Sequence, residues 1–402
     1  MEFRPGSSPT PMRDPLQHSV RVLNDSPAER RTNRDPIHNC QAGADADSRD
    51  SARVGNQSGR QRIAVGGNRV PVHRADSSIL QATQAARSAV TAATWAATSG
   101  VTGPRPTTII DAPRLSRKLS VDLVLASETF QYTGSFKFRA AYNVASNVKQ
   151  AHIITASSGN FGQAIAFACS LFNKRCTVVM PAAAPKIKVD AVREYGAEVD
   201  LVDVKRKGRL ERLAELAKQF PQAYVASPYD DPLVIEGNAG LANELFKLGL
   251  DLDFIIAPIG GGGLTSGLVK AVERSGKKTQ VLAAEPLLAN DAAESFRAGH
   301  IVSQPDESAT IADGARMLRL GDRNWEILSH GLAGVIEVTE DQIKEGVRLL
   351  FALANLKAEP TGALSLGAVL AEPDRFRGKR VCCVISGGNA DPALYAQLVE
   401  GI

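Results

Sequence analysis

Cysteine is scarce in this chain. Its five cysteines, Cys40, Cys169, Cys176, Cys382 and Cys383, form no CxxC pair and no even-numbered framework. That pattern excludes a zinc ribbon and a disulfide scaffold, and it fits a reducing compartment. No run of about 18 consecutive apolar residues occurs, so no membrane span is expected. The amino terminus also lacks the compact apolar core of a secretory leader. A cytoplasmic protein with no membrane partner is the expectation. Excess charge of one sign is missing too: 47 basic and 43 acidic residues are interspersed and leave a net +4. This is too little to build a nucleic-acid surface. The six histidines form neither HExxH nor a Ser-His-Asp arrangement, so structural or solvated roles are expected for them.

What the chain does have changes along its length. Residues 1–78 are rich in Arg, Asp, Ser and Asn, and Phe3 is the only aromatic residue before Trp95. Such a segment buries too little apolar surface to offset its ordering entropy and is expected to be disordered. The stretch SSILQATQAARSAVTAATWAA opens with serine and carries apolar residues at helical spacing, so a helix is expected there. Apolar runs of strand length then recur: VDLVLAS (121–127), HIITAS (152–157), CTVVMP (176–181), VDLVDV (199–204), AYVAS (223–227), FIIAPI (254–259), VLAAEP (281–286) and VCCVIS (381–386). Segments of helical length separate most of them. Near-continuous apolar strands alternating with helices predict an α/β fold with parallel sheets flanked by helices.

In such folds ligands bind where a strand's carboxyl end leads into a helix. Three loops concentrate glycine and serine at that place. In TASSGNFGQA (155–164), Ser157, Ser158, Gly159 and Asn160 can present hydroxyl, amide and N–H groups to an anion, or simply cap a helix. In PIGGGGLTSG (258–267), Gly260, Gly261, Gly262 and Gly263 let the backbone approach a ligand closely just before a helix starts at Leu264. This is a phosphate cup in form, but it matches neither the P-loop nor the dinucleotide fingerprint. In VISGGNAD (384–391), the hydroxyl of Ser386 at a strand end can bond a ring nitrogen. A fourth stretch, QYTGSFKFRAA (131–141), frames Lys137. A phosphate anchor, a hydroxyl for a heteroaromatic nitrogen and a lysine amine are together the parts that hold pyridoxal phosphate.

Six motifs, TGSFKFRAA, SSGNFGQA, GGGGLTSG, TIADGAR, EPTGALSLGA and SGGN, follow one another in that order. Through them the chain, from about Pro106 onward, resembles the fold-type II pyridoxal phosphate enzymes, specifically the serine/threonine dehydratase and serine racemase branch. The resemblance implies a two-domain, tryptophan-synthase-β-like architecture. Residues 79–151 and 230–402 would form the large cofactor-binding domain, and 152–229 a small mobile domain. It implies a homodimer or higher homo-oligomer. Lys137 would bond the cofactor's aldehyde and carry a proton, with Phe136 lining the ring and Asn160 bonding the ring's 3-oxygen. Gly260, Gly261, Gly262, Gly263 and Leu264 would hold the phosphate, and Ser386 would face the pyridine nitrogen. A neutral serine there makes the ring a weaker electron sink than an aspartate would, which suits elimination or racemisation.

For the substrate, the resemblance gives Ser157, Ser158 and Gly159 the carboxylate. It implies dehydration and deamination of L-threonine or L-serine to 2-oxobutanoate or pyruvate plus ammonia. The alternatives are a serine or hydroxyaspartate racemase or dehydratase, with Ser158 as the second proton carrier, or a retired cofactor-binding sensor. It also implies a divalent cation, Mg²⁺ or Ca²⁺, on Glu285, the Ala289 carbonyl and Asp291, where an acidic helix start is the plainer reading. The chain departs from the common wording at three places: Phe161 stands where histidine is frequent, Ala140 where glycine is usual, and the stretch ASETFQY leaves Tyr132 where proline is usual.

Overall fold

The structure is a computed structural model that describes residues 100–401. The expected disorder of residues 1–78 and the helix expected at 77–97 lie outside the described residues. In chain order the elements are β1 (Thr108–Asp111), α1 (Pro113–Leu119), β2 (Asp122–Ser127), α2 (Lys137–Asn147), β3 (His152–Ala156), α3 (Asn160–Leu171), β4 (Arg175–Pro181), α4 (Lys186–Glu194), β5 (Glu198–Val202), α5 (Arg209–Gln219) and β6 (Tyr224–Val225). They continue with α6 (Pro232–Lys247), β7 (Phe254–Pro258), α7 (Gly263–Ser275), β8 (Gln280–Pro286), α8 (Asp291–Ala298), α9 (Asp322–Gly331), β9 (Val335–Val338), α10 (Glu340–Ala354), α11 (Pro360–Ala371), α12 (Pro373–Phe376), β10 (Arg380–Ile385) and α13 (Pro392–Glu400).

Two sheets result. A six-stranded sheet runs β1-β2-β10-β7-β8-β9, and a four-stranded sheet runs β5-β4-β3-β6. All pairings are parallel except β1 with β2. The expected α/β architecture of parallel sheets flanked by helices is thus observed. Buried strands such as β10, five of whose six residues are buried, explain why their sequences read as continuous apolar runs. Two strands escaped the sequence pattern, β1 and β9. Both lie at edges of the larger sheet, and both are short and only partly buried.

Each sheet has its own core. Phe138, Phe161, Phe167 and Met180 pack on the four-stranded sheet, while Ile256, Leu282, Val347, Leu364 and Phe376 fill one face of the larger one. Cys169, Cys176, Cys382 and Cys383 are buried free thiols that pack with these cores. No helix among the described residues is long and apolar enough to cross a membrane.

The consequence for function is positional. β3, β7 and β10 all end in the glycine- and serine-rich loops picked out by sequence. β7 and β10 are parallel neighbours, so the Gly260–Gly263 loop and the Ser386 loop leave the same edge of one sheet.

Candidate active site

Lys137 is the first residue of α2. Two residues along, the buried Arg139 ties its helix to two carboxylates. Arg139 is joined to Glu128 and Glu244 by ion pairs of 2.7 and 2.8 Å. The lysine's own Nζ has a neutral partner, donating to the Pro228 carbonyl at 2.7 Å. Its nearest rings are Phe136 and Phe161, with centroids 5.0 and 5.9 Å from Nζ. Desolvation brings the amine's pKa down to about 8. A cation in this setting gains from giving up its proton or forming a covalent bond.

The loop ahead of Lys137 is stitched to the loop after β10. The Phe136 N–H donates to the Ser386 carbonyl at 2.9 Å, and the Gly388 N–H donates to Gly134 at 2.9 Å. Gly134 has a φ of +72°, and a Cβ there would overlap the Asn389 amide. Glycine is therefore required by both conformation and space. Ser386 is buried, and its carbonyl accepts from the residue just before the lysine's helix.

The Asn160 loop reaches the same point. Asn389 Nδ2 donates to Asn160 Oδ1 at 2.9 Å, and Asn160 Nδ2 donates to Glu359 Oε1 at 2.8 Å. Glu359, at the start of α11, is buried. Burial first, and then the charge of Asp313, pushes its carboxyl up to about 7, against the stabilising Asn160 bond. Ser157 accepts the Gly162 N–H at 3.1 Å, which caps the start of α3. Ser158 instead faces Arg209, whose Nη1 donates to its hydroxyl at 3.3 Å. Beside Gly159 there is open space.

The tetraglycine loop joins the site through residues 228 and 229. A Cβ on Gly261 would overlap the Tyr229 ring, and one on Gly263 would press on the Tyr229 carbonyl. Gly262 has a φ of +95° and caps α7, so this position also needs glycine. The cradle therefore presents bare backbone at a helix start, beside a lysine with no carboxylate partner. That donor set fits a phosphorylated aldehyde: N–H groups for the anion, an amine for the carbonyl and a serine for a ring nitrogen.

The expected cation ligands lie near one another at the end of β8. Glu285 is buried and accepts from the Ala292 and Ala293 N–H groups at 2.9 and 2.8 Å. Burial, reinforced by the charge of Asp291, holds its carboxyl well above the usual range. Ala289, in a single 3-10 turn, is buried. Both Asp291 carboxylate oxygens are buried without a hydrogen-bond partner, and burial lifts that group to about 7. Unmet acceptors of this kind fit a hard cation. Among the described residues no group of three or more His, Cys, Asp or Glu side chains forms a metal cluster; the expected set has only two carboxylates and relies on a carbonyl.

Several contributors were not assigned from sequence. Glu359 and Asn389 lay inside two of the six motifs, which was the available signal. Arg209 and Tyr229 lay outside them. Phe161, at the departure from histidine, is buried in the core of the four-stranded sheet. Ala140, at the departure from glycine, is buried where α2 meets α6, and the close approach is supplied by Gly237 instead, whose Cβ would overlap Ala140 and the Arg139 carbonyl.

Residues 101–387 match the family described as pyridoxal-phosphate dependent enzyme. An L-threo-3-hydroxyaspartate ammonia-lyase from a Pseudomonas species is 35% identical over 299 residues, covering 73% of this chain and 93% of that protein. The serine racemase of Schizosaccharomyces pombe is 33% identical over 298 residues, covering 73% and 92%. Among solved structures, a threonine deaminase from T.th. is 36% identical with a TM-score of 0.68, covering 76% of this chain and 98% of that one. Maize serine racemase is 28% identical with a TM-score of 0.70, covering 78% and 96%. The chain therefore belongs to the fold-type II pyridoxal-phosphate dependent enzymes, in the serine/threonine dehydratase and serine racemase branch, which performs β-elimination or racemisation of hydroxyamino acids.

Proposed function

We propose that the protein eliminates water from L-threonine or L-serine, and that hydrolysis of the resulting aminocrotonate or aminoacrylate, which takes up one water, gives 2-oxobutanoate or pyruvate plus ammonia. The observation that carries this reading is Lys137, a desolvated amine with its pKa near 8 and a carbonyl as its partner. An amine with that pKa accepts and returns a proton near neutral pH. Pyridoxal phosphate supplies the electron sink that makes the substrate's α-proton removable. Lys137 takes that proton. Gly260 through Leu264 anchor the phosphate, Phe136 lines the ring, Asn160 bonds the 3-oxygen and Ser386 faces the ring nitrogen. Ser157, Ser158 and Gly159 receive the substrate carboxylate, where the space beside Gly159 leaves room for it.

Racemisation is the second reading, and the Ser158 hydroxyl favours it. It is not committed to capping α3, as Ser157 is, and Arg209 polarises it. A Mg²⁺ or Ca²⁺ ion on Glu285, the Ala289 carbonyl and Asp291 would satisfy the orphaned Asp291 oxygens. The elements of residues 152–229 are assigned the part of a small domain that closes over substrate, and the working unit is taken as a homodimer.

The test incubates the purified protein with pyridoxal phosphate, Mg²⁺ and either L-threonine or L-serine, and follows the mixture by proton NMR. Appearance of 2-oxobutanoate or pyruvate is expected, and Lys137→Ala should abolish it. Full turnover by Lys137→Ala would sink the assignment. Formation of D-serine without keto acid would give the site to racemisation.

A further inference from the structure

Four consecutive glycines let the backbone approach a ligand, and the same freedom leaves the orientation of each peptide unset. A peptide that turns over presents its carbonyl where its N–H should be, and an anion is then repelled instead of bound. Side chains from three helices hold the tetraglycine loop against this. From α9, Asn324 Nδ2 donates to the Gly261 carbonyl at 2.8 Å, which also accepts the Gly321 N–H at 3.1 Å. From α7, Thr265 Oγ1 donates to the Gly262 carbonyl at 2.9 Å, beside the Ser266 N–H at 2.9 Å. From α6, Asn238 Nδ2 donates to the Gly263 carbonyl at 3.0 Å.

In a trans peptide the carbonyl and the next N–H point in opposite directions. Holding these three carbonyls therefore turns the N–H groups of Gly262, Gly263 and Leu264 away from the side chains that do the holding. All three residues are buried, and among the described residues none of the three N–H groups donates a hydrogen bond. Buried donors are almost always paired, so three in succession at a helix start call for an anion. The asparagines are used in one sense only. Both are fully buried, and the Oδ1 of each has no partner. Leucine has nearly their shape and would strand no oxygen in either place. What the asparagines add is the donor.

We propose that Asn324, Thr265 and Asn238 are positioning residues for the cofactor's phosphate. They hold the Gly261, Gly262 and Gly263 carbonyls outward and so aim the N–H groups of Gly262, Gly263 and Leu264 into the cradle. This rests on giving the tetraglycine loop to the phosphate, as the proposed function does. Asn324 is the principal member, because its Nδ2 also reaches the Tyr229 carbonyl at 3.1 Å and ties the loop to the segment behind it.

The experiment titrates the cofactor-free full-length protein, as wild type, Asn324→Leu and Thr265→Val. Fluorescence gives Kd for pyridoxal phosphate and for pyridoxal, which has the same aldehyde and ring without the phosphate, and phosphorus NMR gives Kd for inorganic phosphate. In Asn324→Leu the constants for pyridoxal phosphate and inorganic phosphate should rise about tenfold or more, the effect of misaiming a hydrogen bond to a charged group. Pyridoxal should stay within about twofold. Thr265→Val should show the same pattern at about two- to fivefold, since the Gly262 carbonyl keeps the Ser266 N–H. Equal losses for pyridoxal phosphate and pyridoxal would give these side chains to the fold at large and overturn the proposal, as would unchanged phosphate affinity. If Asn324→Leu does not fold, Thr265→Val decides by the same ratio. A wild type that binds pyridoxal as tightly as its phosphate would overturn the cradle assignment and this inference together, whereas a wild-type preference for phosphate that survives in both variants overturns this inference alone.

Discussion

Replacing Arg139 by methionine tests whether buried charges hold the lysine's helix in place. The Arg139 side chain is 2% exposed and that of Glu128 is fully buried. Arg139 Nε and Nη2 bond the two Glu128 oxygens at 2.7 and 3.0 Å, Nη1 and Nη2 bond Glu244 at 2.8 and 2.9 Å, and Nη2 reaches Thr107 Oγ1 at 2.8 Å. Two carboxylates and one guanidinium leave one negative charge over. Burial raises the Glu128 pKa against the pull of Arg139, while Glu244, which burial also pushes up, ends below its usual value because Arg139 bonds it. Arg139→Met strands Glu128 without its countercharge, and loss of one member of such a pair costs about 3–5 kcal/mol. The sign with pH comes from proton binding. With its folded-state pKa raised still further, Glu128 in the variant holds its proton folded and loses it unfolded. Stability relative to wild type is then best at acidic pH and falls as pH climbs above the unfolded carboxylate range toward 8. Urea denaturation at pH 5, 6, 7 and 8 measures this, and Arg139→Met/Glu128→Gln should recover much of the loss. A penalty under about 1 kcal/mol at pH 8, or a double variant no better than the single one, would refute the reasoning.

Gly261→Ala should weaken pyridoxal phosphate binding about tenfold or more, because its Cβ overlaps the Tyr229 ring, whereas Gly159→Ala, facing open space, should keep cofactor affinity within about twofold. Fluorescence titration with cofactor separates the two, and equal affinities would count against a close-fitting cradle. Glu359, with its pKa pushed up to about 7 by burial and Asp313, binds more protons folded than unfolded between about pH 4.5 and 7. Wild type should therefore lose about 3 kcal/mol as pH rises through that window and Glu359→Gln should not, so parallel stability curves would contradict the assignment. Mg²⁺ or Ca²⁺ should raise the wild-type melting temperature in proportion to the logarithm of its concentration once the site is near saturation, and EDTA should reverse the effect. Asp291→Asn should lose this response, and an undiminished shift in that variant would move the ion elsewhere.

How much of this was legible in the sequence depends on where each interaction closes. Lys137, the serine loop, the tetraglycine and Ser386 each announce themselves locally, because a strand passing into a helix through glycine is a short-range pattern. The buried strands were equally legible, since cover on both faces turns a strand into an apolar run. β1 and β9 were not, because a partly buried edge strand of four residues has little pattern to show. The bonds that complete the site span the chain: Asn160 to Glu359 across 199 positions, Asn160 to Asn389 across 229 and Arg209 to Glu307 across 98. No local rule pairs such residues; only the parallel stacking of β2, β10 and β7 and the placement of the second sheet do so. Ser157 shows the limit from the other side. Its loop position was evident, but its hydroxyl is engaged by Gly162, so its expected contact with substrate depends on the proton it can still donate.

The least legible part is also the one that joins the candidate site's elements. Residues 228 and 229 lie in none of the six motifs, in the short passage from β6 of the smaller sheet to α6. Pro228 lends its carbonyl to Lys137, and Tyr229 lies against Gly261 and Gly263. One segment therefore supports both the Lys137 amine and the glycine loop. Proline has no N–H to compete for that carbonyl's surroundings and restricts its own φ. The tyrosine ring makes a bare backbone at Gly261 a steric requirement rather than a preference. A displacement of β6 would be felt at the lysine and at the glycines together, because their common support is two adjacent residues of a chain whose peptide units are stiff. The placement of the Lys137 amine relative to the glycine loop is thus set by a dipeptide outside all six motifs, which is why its importance shows in the packing and not in the sequence.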